Sequence, residues 1–386
     1  WYILVSLLVD FIGINESEIG RVSSYILYII AIAFAILLLG VLYVTYSLND
    51  ATTKSYSGLS STLGKTILHA EDAKKNVAIG IAVTITANND IVKALETNDR
   101  ELALSALKQL SKKFANGTNY KNVKIHIHTK DIKSFVRAWK PKKFGDDLSG
   151  FRNTILEVAK TKKPLAAIEV GRAGLVLRGL APIFNNKGQY VGSVEAIMGF
   201  NSIIKDLKKD GYDALILMDE KFKRGNALTA ESKLGNFYVS QKTIDTNFKS
   251  LVSTNIGQLI GSNTGYLHTD MMYITNTPIK DMNGNAVGQY VLGMGNDKAD
   301  AVINEIKELI LGVVVFILIA LVVLLSVISI VSKKVITSSI SEFNIGFERF
   351  IDFITFKTNK FIPVDIKEAN EFGVLLNNLT FAPKTK

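Results

Sequence analysis

Between residues 126 and 195, ionisable side chains interrupt short apolar segments one at a time: His126 and His128 in VKIHIHT, Arg137 in SFVRAW, Glu169 in AAIEVG, Arg178 in LVLRG and Glu195 in GSVEAIM. In a strand of period two, His126 and His128 share one face while Val123, Ile125 and Ile127 share the other. A charge buried there without a partner costs several kcal/mol, so these residues must meet one another, a ligand or water. Arg137, Arg178 and Arg152 carry forked donors that suit a small carboxylate, and Trp139, two residues on from Arg137, offers an aromatic wall. Glu169 and Glu195 can take an amine or fix the arginines. The competing arrangement is an internal Glu169–Arg178 pair across a hairpin. Both arrangements remain open at this level.

Two imidazoles two residues apart on one strand face can also ligate a metal. No third ligand follows from the order of residues, so no metal is assigned to His126 and His128. His69 and His268 have no supporting pattern. Asp146 and Asp147 are expected to cap the following helix rather than act as paired carboxylates. The chain holds no Cys, and it carries no Gly-rich phosphate loop, nucleophile elbow or Ser/His/Asp order; catalysis and a bound cofactor are not expected.

The elements that must position these residues follow from periodicity. Alternation marks strands from 123 and from 134, then at 165–170, 175–184 and 189–198, with a helix LSGFRNTILEVAK between the second and third strands. The turn NNKG at 185–188 joins the last two. After a short helix at NSIIKDLKKDG the scheme recurs: DALILMD, LGNFYVSQ, a helix at TIDTNFKSLVST, then three strands with an MNGN turn. Each half reads strand, strand, helix, three strands, which predicts a structural repeat. Upstream, Leu59, Leu63, Ile67, Ala70, Val77 and Ile81 recur every three to four residues, predicting a long amphipathic helix. Asn88 to Asp90 break it and cap a short helix, and a further helix runs from the NDR at 98–100 to Phe114.

Two uncharged apolar runs, 25–46 and 309–331, each reach about 30 Å as helices, the thickness of the hydrocarbon core. Arg21 before the first and Lys333 and Lys334 after the second place both outer flanks in the cytoplasm and residues 47–306 outside it. That outer stretch carries 35 Lys and Arg against 25 Asp and Glu, which accounts for the chain's formal net charge of +10. A basic surface of this kind attracts anions and anionic lipid. The apolar WYILVSLLVDFI at 1–12 is too short to cross a membrane and reads as the end of an upstream segment.

Taken together, His126 with His128, Phe135 with Arg137 and Trp139, Gly145 to Ser149, Phe151 with Arg152, Ile168 through Gly179 and Gly192 through Glu195 resemble the ordered motifs of the double Cache sensor region of bacterial chemoreceptors. The resemblance covers roughly 47–306, its motifs lying in the first half. It implies an α+β fold in which a long N-terminal helix carries two PAS-like mixed units, flanked by two transmembrane helices. The expected segments are an N-terminal piece at 1–24, a transmembrane helix at 25–46 and a helical region at 47–122. A membrane-distal ligand-binding unit at 123–210 and a membrane-proximal unit at 211–306 follow, then the second transmembrane helix at 309–331. The stretch 333–380 is similar to a HAMP linker, with ANEFG at 369–373 resembling its acidic turn, although Thr337 and Ser338 stand where a proline is usual. The resemblance implies a homodimeric receptor of the bacterial inner membrane that binds a small carboxylate or amino acid outside the cytoplasm and signals to a chemotaxis kinase and its adaptor. No nucleic-acid partner is expected. The alternative output is a membrane histidine kinase, or a diguanylate cyclase or phosphodiesterase.

Overall fold

The computed structural model describes residues 21–118, 123–224, 226–332 and 338–360. The N-terminal piece up to residue 20, Lys333 to Thr337 and the ANEFG turn lie outside the described residues. The chain divides into a unit formed by Trp1–Ala51 with Glu305–Lys386 and a second unit, Thr52–Asn304, that holds all the described strands.

Helix α1 (Arg21–Thr86) runs without interruption from the first apolar run into the second unit, and α7 (Asn296–Ser332) leaves that unit into the second run. Among the described helices, these two are long and apolar enough to cross a membrane. Helix α8 (Ser338–Ile354) follows.

Within Thr52–Asn304, helices α2 (Asn89–Thr97) and α3 (Arg100–Gly117) precede strands β1 (Lys124–Thr129) and β2 (Ser134–Arg137). Their N-caps are the expected short polar residues: the Asn88 side chain accepts from the Ile91 amide and the Asp99 side chain from the Leu102 amide. Helix α4 (Asn153–Thr161) leads to β3 (Leu165–Gly171), β4 (Gly174–Phe184) and β5 (Tyr190–Met198). These five strands form an antiparallel sheet in the order β2-β1-β5-β4-β3. Helix α5 (Asn201–Lys209) connects to β6 (Tyr212–Asp219), β7 (Lys233–Leu234), β8 (Phe237–Val239), α6 (Thr246–Gly261), β9 (Tyr266–His268), β10 (Met272–Lys280) and β11 (Ala286–Gly295). Their sheet runs β7-β8-β6-β11-β10-β9, the first scheme with one short strand added at the edge.

The repeat extends to its turns. In the β4–β5 hairpin the Asn185 side chain accepts from the Lys187 and Gln189 amides; in the β10–β11 hairpin the Asp281 side chain accepts from those of Asn283 and Asn285. Each loop then closes through a glycine at positive φ, +74° at Gly188 and +83° at Gly284.

Helix α1 binds both sheets with one stripe. Ile67 enters the core of the second sheet, with Phe200, Tyr290 and Leu292, while Ile81, Ala82 and Ile85 pack on the first, with Ile125, Ile127, Val194 and Ala196. Burying each such aliphatic side chain is worth roughly 1.5–3 kcal/mol, so this stripe rather than helix propensity holds α1 to the sheets. Gly179 lets it lie close: a Cβ there would fall 2.1 Å from the Ala78 carbonyl carbon. Polar links reinforce the contact, the Tyr290 hydroxyl donating to Glu71 at 2.6 Å. Nearer α7, the Tyr56 hydroxyl donates to Asp300 Oδ1 at 2.6 Å and the Tyr273 hydroxyl donates to the Tyr56 carbonyl at 2.6 Å.

One expected helix start is corrected. Helix α4 begins at Asn153, not at the LSG segment, and neither Asp146 nor Asp147 caps it. Residues 148–152 instead form a tight turn in which the Arg152 amide bonds the Leu148 carbonyl.

Lys74 on α1 is 6% exposed and donates to Ser202 Oγ at 2.5 Å. Burial lowers its pKa from 10.5 to about 8, against an opposing pull from Asp206. The unfolded chain keeps this proton up to its higher ordinary pKa, so the burial penalty is constant below pH 8 and is relieved as pH rises from 8 to 10.5. Lys74→Met should therefore stabilise the full chain in nanodiscs at pH 7 by on the order of 3 kcal/mol or less, seen as a higher melting temperature. Its advantage over the wild type should shrink as pH approaches 10; an advantage independent of pH would contradict the assignment.

Candidate functional site

The first sheet has two unlike faces. Cross-strand partners share a face, and the register sets Arg137 opposite His126 and His126 opposite Glu195, with His128 opposite Ser193. Glu195 pairs in turn with Leu180, two residues from Arg178 on β4, and Glu169 stands opposite Val176, two residues to the other side. The charged residues therefore form a row across one face. On the other, Ile125, Ile127, Val194, Ala196, Ala181 and Ile183 join the apolar core beneath α1, α2 and α3.

The charged face is covered by α4 and by residues 138–152. Leu148, Ile155 and Val158 pack on Leu180, while the covering loop is fastened to β2 by backbone bonds from Gly145 N to Ser134 O (2.8 Å) and Ser134 N to Asp146 O (3.0 Å). A two-pronged pair, Arg137 Nη1 to Asp146 Oδ1 at 2.7 Å and Nη2 to Oδ2 at 2.8 Å, locks it. That pairing holds the Asp146 carboxyl below its usual range, burial opposing it. Asp147 instead accepts from the Ser149 amide at 2.9 Å.

Beneath the cover lies a buried ion cluster. Glu195 is 0% exposed. Its Oε2 accepts from Arg152 Nη2 and, at 2.8 Å, from Arg178 Nη1; its Oε1 lies 2.8 Å from His126 Nδ1 and 3.4 Å from His128 Nε2. Glu169 Oε2 meets Arg152 Nε at 2.9 Å and Arg178 Nε at 2.9 Å. The second contact is an ion pair rather than a hydrogen bond, because the Arg178 Nε–H is not aimed at that oxygen. Glu169 Oε1 accepts from the Thr154 hydroxyl at 3.2 Å and lies 3.5 Å from the Thr154 amide, so a carboxylate from β3 stands at the N-terminus of α4 where a cap was expected from the loop.

Two guanidinium groups and two carboxylates balance. Burial alone would push the Glu195 carboxyl up, but Arg152 and Arg178, with the histidine hydrogen bonds, hold it well below its usual range. Burial lowers the Arg152 pKa while Glu195 and Glu169 raise it, and the net shift is upward. Burial pushes His126 down to about 3 and lowers His128 as well, so both imidazoles are neutral near pH 7. The remaining nitrogens meet hydroxyls: His126 Nε2 lies 2.8 Å from Ser134 Oγ, and His128 Nδ1 lies 2.9 Å from Ser193 Oγ.

Seven of the eight residues singled out by type and spacing thus lie along one covered face, six in the Glu195 network or against it and Arg137 beside it on Asp146. Trp139 departs from the expected strand face. Strand β2 stops at Arg137, and Trp139 stands in the following turn, 40% exposed, with its ring edge-on to His126 at 5.9 Å. The Glu169–Arg178 pair across the hairpin is present, and the same arginine also serves Glu195. Sequence reasoning missed Asp146 as the partner of Arg137, and Ser134 and Ser193 as partners of the histidines. Ser193 was within reach, since it lies two residues before Glu195 and so on the same face. A cavity of about 200 Å³ lies on the α3 side of β2, lined by Arg100, Leu104, Val136, Pro141 and Phe144 among others, and includes none of the cluster residues.

The family described as double sensory domain of two-component sensor kinase matches residues 75–301. No curated protein matches the chain. Among solved structures, an extracellular ligand binding receptor from Desulfohalobium retbaense is 16% identical over 65% of this chain, at a TM-score of 0.33; this chain spans only 40% of that one. The sensory domain of the Campylobacter jejuni chemoreceptor Tlp3, solved with isoleucine bound, is 13% identical over 68% of this chain and 98% of its own, at 0.40. The periplasmic domain of Vibrio cholerae LuxQ is 10% identical over 62% of this chain and 99% of its own, at 0.41.

Removing one partner from a buried ion cluster strands the others. Glu195→Gln should cost about 3–5 kcal/mol of stability, whereas Glu169→Gln, at a side chain that water still reaches, should cost markedly less. Thermal melts of the two variants in nanodiscs check the order; equal losses would mean that Glu195 is not the central member.

Proposed function

Because the chain belongs to the family of double sensory domains of two-component sensor kinases, we propose that it is a transmembrane receptor whose first sheet unit responds to a small extracytoplasmic carboxylate or amino acid. One asymmetry carries this reading. Among the described residues, the strands and cover of the first sheet bury His126, His128, Arg137, Arg152, Arg178 and Glu195, whereas no strand of the second sheet buries an Asp, Glu, Lys, Arg or His; the buried charge against it is Glu71 of α1, which accepts from Tyr290. Charges cost stability in a core that apolar residues would fill better, so a set concentrated in one of two matching units suggests a task peculiar to that unit.

The arginines already have carboxylate partners, so a ligand must exchange with one of them. Glu169, the less buried carboxylate, is the group displaced: a ligand carboxylate takes its place on Arg152 and Arg178, and an amine of the same ligand meets Glu169 or Glu195. Displacing Glu169 also removes the charge at the start of α4 and loosens the cover that Arg137 holds through Asp146. The two states of this cover give a ligand the differential affinity that a switch requires. The second sheet passes the change to α7, and a HAMP-like segment at 333–380 carries it to a chemotaxis kinase in a homodimeric assembly of the inner membrane. The family's description favours weighing a second output, a histidine kinase, alongside a diguanylate cyclase or phosphodiesterase; the downstream coding sequence separates these.

A thermal-shift screen of the full chain in nanodiscs against organic acids and amino acids should find a compound that raises the melting temperature. Calorimetry should then show at least a tenfold loss of its affinity in Arg178→Lys and in Arg137→Ala. A flat screen, or affinity unchanged in both variants, would defeat the assignment of this cluster.

A further inference from the structure

His126, His128 and Glu195 present three ligand atoms within 4.8 Å of one another. The geometry points to a binding site for a divalent first-row transition ion, zinc above all, held by His126 Nδ1, His128 Nε2 and Glu195 Oε1. This goes beyond the receptor reading and does not depend on it.

Three features support a metal rather than a mere hydrogen-bonded cluster. First, the spacing fits. Ligands about 2.0–2.1 Å from a tetrahedral zinc ion lie about 3.3 Å apart, and the two nitrogens stand 2.8 and 3.4 Å from the shared carboxylate oxygen. Second, all three donors are enclosed, His126 1% and His128 and Glu195 0% exposed, so bulk water does not compete with them for an ion. Third, each ligand has an outer partner of the kind that orients a metal-bound group. Ser134 and Ser193 receive the second nitrogens of His126 and His128, and Arg152 and Arg178 hold Glu195 through its other oxygen.

Those arginines also limit what the ion can be. Their charges are balanced by Glu169 and Glu195, so an added dication raises the local charge and its fourth position must take an anion, either hydroxide or a carboxylate. A hard ion such as Mg²⁺, which demands six oxygens, finds only one carboxylate oxygen among these three donors. Imidazole donors favour zinc and its neighbours.

The chain has four histidines and no cysteine, which makes the test clean. The full chain in nanodiscs is stripped with a chelator and titrated with Co²⁺, then with Zn²⁺. One Co²⁺ per chain is expected, with the intense visible bands of a four-coordinate centre, lost on adding one equivalent of Zn²⁺. The bands should survive His69→Asn/His268→Asn and vanish in His126→Asn/His128→Asn. Absence of bands in the wild type, or their survival in the second variant, overturns the site. Should the second variant fail to fold, X-ray absorption of the zinc-loaded His69→Asn/His268→Asn chain decides, since its two imidazoles are His126 and His128. Two imidazole scatterers support the site; one or none rejects it.

Discussion

Glu195 is a carboxylate that water does not reach, and it stays ionised because two guanidinium groups share one of its oxygens. Alone, either arginine or the glutamate would be an uncompensated buried charge; together with Glu169 they form a neutral set. That requirement governs much of the first sheet and its cover. Arg152 must come in from the turn before α4, Arg178 from β4 and both histidines from β1, so one oxygen pair ties the cover to the three inner strands of the sheet. An apolar core tolerates exchange of one aliphatic side chain for another. This one is less forgiving, because losing Arg152, Arg178 or Glu195 strands a buried charge.

The two sheets offer an internal comparison. They share strand order and hairpin chemistry, yet the second is filled by residues such as Leu215, Leu217, Val252 and Ile274. The same framework thus stands with no buried charge on its strands. What the first sheet carries instead is a row of buried charge, at the cost of a weaker core.

Much of this was legible before any coordinates. The apolar runs, the stripe Leu63–Ile67–Ile81 and the Asn/Asp-Gly hairpins are local signals, readable because a helix repeats every 3.6 residues, a strand every two, and a tight turn needs a residue at positive φ. Period two also collected the charged residues onto one face. It could not say that Arg137 turns to Asp146 and away from Glu195, since that depends on how residues 138–152 fold back along β2. Nor could it place Trp139, because the strand pattern runs on in the sequence past the point where β2 loses its pairing partner. The start of α4 was misjudged for a related reason: the group standing at its N-terminus is Glu169, sixteen residues beyond Asn153, and only the sheet brings it there. Local chemistry was readable; contacts made by chain reversal were not.

The tyrosine joint near the ends of the outer unit couples its first and last helices. Tyr56 is on the helix that arrives from the first span, Asp300 is on the one that departs toward the second, and Tyr273 of the sheet grips the Tyr56 carbonyl. With sheet and both rods pinned at one place, neither rod can slide freely while the other stays still. A shift of any one of the three then strains the hydroxyl bonds to the others, so this corner of the outer unit yields as a single piece or not at all.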